Sequence, residues 1–129
     1  MDSARLAKIP LFAALGTADL EVIAAAASEV SADAGEKLAA EGDFGHALFA
    51  IESGTVQCSI DGRDLRTLGP GDVFGEIAVV KSGRRTASVV ATTPVNLIAL
   101  FKRDVWALEQ RDPHAAERLR ALIAERTDN

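Results

Sequence analysis

The chain has 129 residues, 48% of them hydrophobic and 26% charged, so it has the apolar material for a core and is not a disordered chain. That length, 13.6 kDa, leaves no room for a second folded unit within it. The net charge of −5 disfavours sequence-independent binding to nucleic acid or anionic lipid, because either needs clustered cations to replace counterions.

The opening stretch holds Leu6, Ile9, Leu11, Phe12 and Leu15 around Pro10. Thr17 follows as an N-cap, with Asp19 and Glu21 in the first turn to suit the helix dipole. Leu20, Ile23, Ala24 and Ala27 then recur at i, i+3, i+4 and i+7, which predicts a surface helix that dissolves near Glu29. From about residue 28 to 101 the texture changes to short runs separated by glycines and by Gly69-Pro70-Gly71, the spacing of an antiparallel sandwich or barrel. In residues 55–60, Val56, Cys58 and Ile60 fall on one face of a half-buried strand, and Asp61-Gly62 behind it predicts a hairpin turn. Ser88–Ala91 and Val95–Phe101 read as further strands around a Thr-Thr-Pro turn. After Phe101 the period is helical again. Residues 104–111 form one short helix containing Trp106, expected in the core, and Asp112-Pro113 supplies the N-cap and first-turn proline of a second. Leu119, Leu122, Ile123 and Arg126 share one face of that second helix.

Residues 74–88, Phe74-Gly75-Glu76-Ile77-Ala78-Val79-Val80-Lys81-Ser82-Gly83-Arg84-Arg85-Thr86-Ala87-Ser88, interrupt the strand pattern with a short turn of helical character. A glycine entering one helical turn leaves backbone N–H groups free to attract an anion such as phosphate. Charge points to the same place: residues 1–83 carry 6 basic and 13 acidic side chains, residues 84–129 carry 8 and 6, and the surplus begins at Arg84-Arg85. Arg85, nine residues after Glu76 and on the next strand, can return to the same pocket and make a charge-assisted, bidentate pair with phosphate oxygens. Glu76 would repel that phosphate, so its use is to accept hydrogen bonds from neighbouring hydroxyls, as on a ribose.

This segment resembles the phosphate-binding cassette of cyclic nucleotide-binding domains: F-G-E-hydrophobic-A, the right interval, then R-x-A-S. The resemblance covers essentially the whole chain, including Gly35, Gly42, Gly54, Gly71 and Asp72 of the roll. Residues 83–89 are particularly similar to the cassette of cyclic-nucleotide-regulated channels, and the remainder to sensor domains of the catabolite activator superfamily. It implies a mainly β fold with flanking helices, an eight-stranded antiparallel, jelly-roll-like β-roll with N-terminal helices and two C-terminal helices. The expected organisation is a single domain: a helical part at 1–29, the roll at 30–101 with the cassette at 74–88, and hinge and lid helices at 102–129. The implied function is a non-enzymatic sensor for cAMP or cGMP that signals to an unidentified effector protein or domain by moving its C-terminal helix. By resemblance, Phe74 opens the cassette, Glu76 takes the ribose 2′-hydroxyl and Arg85 the cyclic phosphate. The backbone of Gly75, Ile77, Ala78 and Ala87 adds hydrogen bonds, and Thr86 falls where many cGMP-responsive members contact the guanine amino group. Cys58 and Leu68 occupy strand positions lining the base pocket. Arg84 stands where many relatives carry proline, an arginine that channel domains share.

The other chemistry-bearing residues point to nothing comparable. Cys58 alone excludes an internal disulfide and suits a reducing, cytoplasmic compartment, and no apolar run approaches the length of a membrane span. Cys58 reads as a small apolar filler before a redox sensor. His46 and His114 are too few and too far apart for a His-rich metal centre, which excludes a cupin-like enzyme, and no common catalytic motif is present. Arg126 is evenly poised between a solvated helix end and a cap over the bound base. No helix-turn-helix, kinase or channel segment follows Ile123, which fits a stand-alone sensor or an excised piece. The alternative class is a β-roll interaction module without nucleotide binding.

Overall fold

The structure, a computed structural model, describes residues 1–39, 47–75 and 88–127. Three helices open the chain, α1 (Ser3–Leu6), α2 (Pro10–Ala13) and α3 (Thr17–Ala26). Among the described residues eight strands follow: β1 (Ser28–Ala32), β2 (Lys37–Ala39), β3 (Ala47–Ser53), β4 (Val56–Ile60), β5 (Arg63–Leu68), β6 (Val73–Phe74), β7 (Ser88–Ala91) and β8 (Val95–Phe101). Two helices close it, α4 (Lys102–Arg111) and α5 (Pro113–Thr127). The strands pair antiparallel in two four-stranded sheets, β1-β8-β3-β6 and β2-β7-β4-β5, the antiparallel architecture that the turn spacing predicts and the eight-stranded roll that the resemblance implies.

The β1-β8-β3-β6 sheet is covered on both sides, which is why β3 and β8 read as nearly continuous apolar runs. Leu48, Ala50, Val73, Ile98 and Leu100 face outward to a helical layer of Leu6, Ile9, Leu11, Phe12, Leu15, Ile23, Val105, Leu108, Ala115, Ala116, Leu119 and Ile123. Ile51, Phe74, Val95 and Leu97 face inward, against Val56, Cys58, Leu68, Val89 and Ala91 of the second sheet. In β4 the period of two holds: Val56 and Cys58 are buried, while Ile60, beside the hairpin turn, is only partly so. Asp61 and Gly62 both have positive φ (53° and 76°), the conformation of a type I′ turn. At Gly54 no side chain fits, since a Cβ would stand 2.3 Å from the Pro94 carbonyl oxygen. This contact, with the hydrogen bond from the Thr92 amide to Thr55 O (3.0 Å), locks the β3–β4 turn to the β7–β8 turn.

Three sequence expectations are corrected. Helix α3 has Gly16 as its N-cap, with the Leu20 amide bonded to Gly16 O at 2.9 Å, so Thr17 is the first helical residue and makes no cap. Helix α4 begins at Lys102, two residues before the predicted start. Trp106 is 57% exposed, with Lys102 Nζ 5.3 Å from its ring centroid. The buried stripe of α4 is Val105 and Leu108, and one residue further round the helix Trp106 turns about 100° away from it.

Candidate functional site

The interior of the roll brings Cys58, Leu68 and Phe74 into one apolar cluster, each 5–6% exposed. Strand register does this: Val56 pairs with Leu68 across β4 and β5, and Cys58, two residues on and on the same face, pairs with Val89 of β7. The ligand-lining positions expected on β4, β5 and β6 therefore share one apolar cluster, and apolar side chains of this kind can desolvate a flat heteroaromatic ring. Among the described residues no polar or charged side chain is buried, so the described part of the cluster supplies no buried charge.

Glu76, Ile77, Ala78, Arg85, Thr86 and Ala87 lie outside the described residues, as does His46. Their flanks are described. Phe74 precedes the segment 76–87 and Val89 follows it, and both belong to the same interior cluster. At Gly75 the backbone has φ +81°, a conformation open to glycine and costly for other residues, so the chain turns out of β6 immediately after Phe74. Upstream, the Ile51 amide donates to Asp72 O (2.9 Å), the Gly71 amide to Ile51 O (2.8 Å) and the Gly69 amide to Asp72 Oδ2 (2.9 Å), fastening the approach to β6.

Phe49 is the residue that sequence reasoning missed. Its ring stacks on Phe74 with centroids 5.2 Å apart and planes inclined by 30°, because Phe49 and Phe74 are register partners of β3 and β6. Nothing in the local pattern of β3 announces this, since its partner is 25 residues away in the chain.

Arg126 is in helix α5. The stripe that leads to it is buried: Leu119 and Ile123 pack in the helical layer with Leu6, Phe12 and Ile23, and Leu122 is partly buried against the same layer. Arg120 and Glu109 form an ion pair that ties α5 to α4. His114 is on the surface of α5, its Nε2 3.9 Å from Asp19 Oδ2.

Among the described residues, two open clefts are lined by neither Cys58, Leu68 nor Phe74. One, of about 480 Å3, runs past Arg5, Glu29, Glu52 and Asn96; the other, of about 700 Å3, separates α3 from α4 along Val22, Ala25, Ala107 and Arg111. In the first, Glu52 and then Glu29 push the Arg5 guanidinium further above its ordinary range by accepting its hydrogen bonds. Among the described residues, no three His, Cys, Asp or Glu side chains gather to hold a metal ion, and no helix is long and apolar enough to cross a membrane.

Comparison with known proteins places this geometry. Residues 29–112 match the family model described as the cyclic nucleotide-binding domain. The chain is 41% identical over 97 residues to the cyclic AMP receptor protein of Thermus thermophilus, covering 71% of this chain and 45% of the receptor. It is 34% identical over 121 residues to a cyclic nucleotide-gated potassium channel of Rhizobium etli, covering 94% of this chain and 34% of the channel. The chain thus spans less than half the length of these two relatives. The solved N-terminal domain of a transcriptional regulator from Streptomyces coelicolor superposes with a TM-score of 0.80 at 34% identity, over 99% of this chain and 94% of that one.

Proposed function

The chain belongs to the cyclic nucleotide-binding domain family, and we propose that it is a non-enzymatic sensor whose residues 1–129 form one unit binding cAMP or cGMP inside the roll. The observation that carries this reading is the intact F-G-E…R-T-A-S segment, flanked by Phe74 and Val89 of the apolar cluster that holds Cys58 and Leu68. In it Arg85 holds the cyclic phosphate, Glu76 the ribose 2′-hydroxyl, and the backbone of Gly75, Ile77, Ala78 and Ala87 adds hydrogen bonds to the ligand. The purine lies against Cys58 and Leu68, and Thr86 offers a hydroxyl to it. Polar groups orient the ligand at one end and apolar ones desolvate it at the other. No bond of the nucleotide is made or broken.

The signal leaves through α5 to an effector protein or domain, with Arg126 as a cap over the base. Burial constrains how. Leu119 and Ile123 are 0–1% exposed in the helical layer, and pulling either out costs about 1.5–3 kcal/mol. Helix α5 therefore moves together with α1–α3 more cheaply than alone. The single cysteine suits a cytoplasmic setting, and the charge of −5 argues against nucleic acid as a partner of this chain.

Titration calorimetry of the chain with cAMP and with cGMP tests the reading. Saturable one-to-one binding of both is expected; absence of heat with either nucleotide, on a folded sample, would sink it.

A further inference from the structure

We propose that Phe49 is a positioning residue for nucleotide binding, holding in place the strand that leads into the phosphate-binding segment; the proposal rests on the nucleotide reading given above. Strand β6 is only two residues long. Its register partners are Ala50 for Val73 and Phe49 for Phe74. Ala50 and Val73 face the helical layer, whereas Phe74 faces the interior cluster, where Phe49 adds a ring contact from the strand that pairs with β6. Its ring lies on that of Phe74, centroids 5.2 Å apart, opposite the last paired residue before the chain turns at Gly75 with φ +81°.

A strand so short has few ladder hydrogen bonds to resist fraying, and local opening of such elements is a low-energy event. Fraying of β6 would carry Gly75 away from the interior cluster and, with it, the start of the segment that is to meet the phosphate. A ligand that binds one arrangement of this segment sees an affinity reduced by the fraction of molecules in that arrangement. Phe49 is itself only partly buried at the margin of the interior cluster, whereas Phe74 is 6% exposed within it. Removing the Phe49 ring therefore loosens β6 while leaving the centre of the core filled.

The test compares wild type with Phe49→Leu, which keeps an apolar side chain without the ring, and Phe49→Tyr, which keeps the ring. Phe49→Leu should bind cAMP and cGMP more weakly by about two- to twelvefold, the ~0.5–1.5 kcal/mol of an aromatic pair at 1.4 kcal/mol per decade. The loss should be the same for both nucleotides, because the effect acts on the segment and not on the base. Phe49→Tyr should restore binding to within about twofold of wild type, a rescue that bulk filling of the site would not require. Without ligand, the amides of Phe74 and Gly75 should exchange faster in Phe49→Leu, with those of Leu97, Ile98 and Ala99 in β8 unchanged.

Wild-type affinity in Phe49→Leu, or unaltered exchange at Phe74 and Gly75, would overturn the role of Phe49 while leaving the nucleotide reading intact. Loss of cooperative unfolding in Phe49→Leu would also overturn it, by making Phe49 an ordinary core residue. If the wild type itself binds neither nucleotide, the broader reading fails and the binding role fails with it, and the exchange data tell the two failures apart.

Discussion

The Ala115 amide donates a 3.1 Å hydrogen bond to Oδ1 of Asp112, and the Ala116 amide donates to the Asp112 carbonyl oxygen at 3.2 Å. Together they close the first turn of α5 directly after the bend at Pro113, so the Asp112 side chain contributes to the start of α5 alongside the packing of Ala115 and Ala116. Replacing an N-cap aspartate by alanine costs about 1 kcal/mol. Asp112→Ala should lower the urea midpoint accordingly, and Asp112→Ser should recover most of the loss. An unchanged midpoint in the alanine variant would mean that packing alone sets the bend.

Arg85 is the proposed phosphate anchor, and truncating one partner of a buried charge pair costs roughly 2–5 kcal/mol. Arg85→Ala should therefore bind cAMP and cGMP about 30- to 4,000-fold more weakly. Arg84→Ala is the control, the neighbouring cation to which the phosphate assignment gives no role. Calorimetric affinities within about threefold of wild type for Arg85→Ala would contradict the assignment.

Nucleotide choice turns on Thr86. A neutral hydroxyl offered to the guanine amino group contributes on the order of 1 kcal/mol net, too little for strong selectivity. Thr86→Ala should weaken cGMP about fivefold and leave cAMP nearly unchanged. Equal losses for both nucleotides would show that the hydroxyl does not read the base.

Helix α5 offers a test of how the signal leaves. Deleting residues 119–129 strips Leu119 and Ile123 from the helical layer, and two such side chains contribute roughly 4–10 kcal/mol, comparable to the whole stability of a domain. That deletion should unfold the helical layer, visible as lost helical circular dichroism. Deleting only residues 124–129 keeps the stripe and should leave the melting transition in place. In the intact chain, amides of residues 115–123 should gain hydrogen-exchange protection at saturating cAMP, and amides of α3 should gain it with them, because the two helices share one apolar cluster. Protection confined to α5 would show that the stripe parts from Phe12 and Ile23. No change in either helix, with binding measured on the same sample, would send the signal by another route.

The sequence by itself determined the elements whose signals are local. The alternation of Val56 and Cys58, the Asp61-Gly62 turn, the apolar run of β8 and the Asp112-Pro113 helix start each follow from the conformational preferences of neighbouring residues. The F-G-E…R-T-A-S segment was readable for the same reason, since its residue types and their interval lie within one short stretch. Tertiary structure decided what covers each face. Periodicity groups Leu119, Leu122 and Ile123 on one side of a helix, yet only the packing of α1–α3 against that side makes it core and not a bare lid surface. The same local pattern could not say that Trp106 would stand in solvent, or that β8 would be covered by helices on one side and a sheet on the other. Leu65 is skipped where the β4–β5 register shifts between Cys58 and Ser59, and it is 57% exposed on an edge strand that its own sequence does not mark as an edge. Phe49 meets Phe74 only because β3 and β6 pair across the intervening hairpin. Burial and ring stacking depend on partners brought together by the whole chain, and no window of neighbouring residues contains that information.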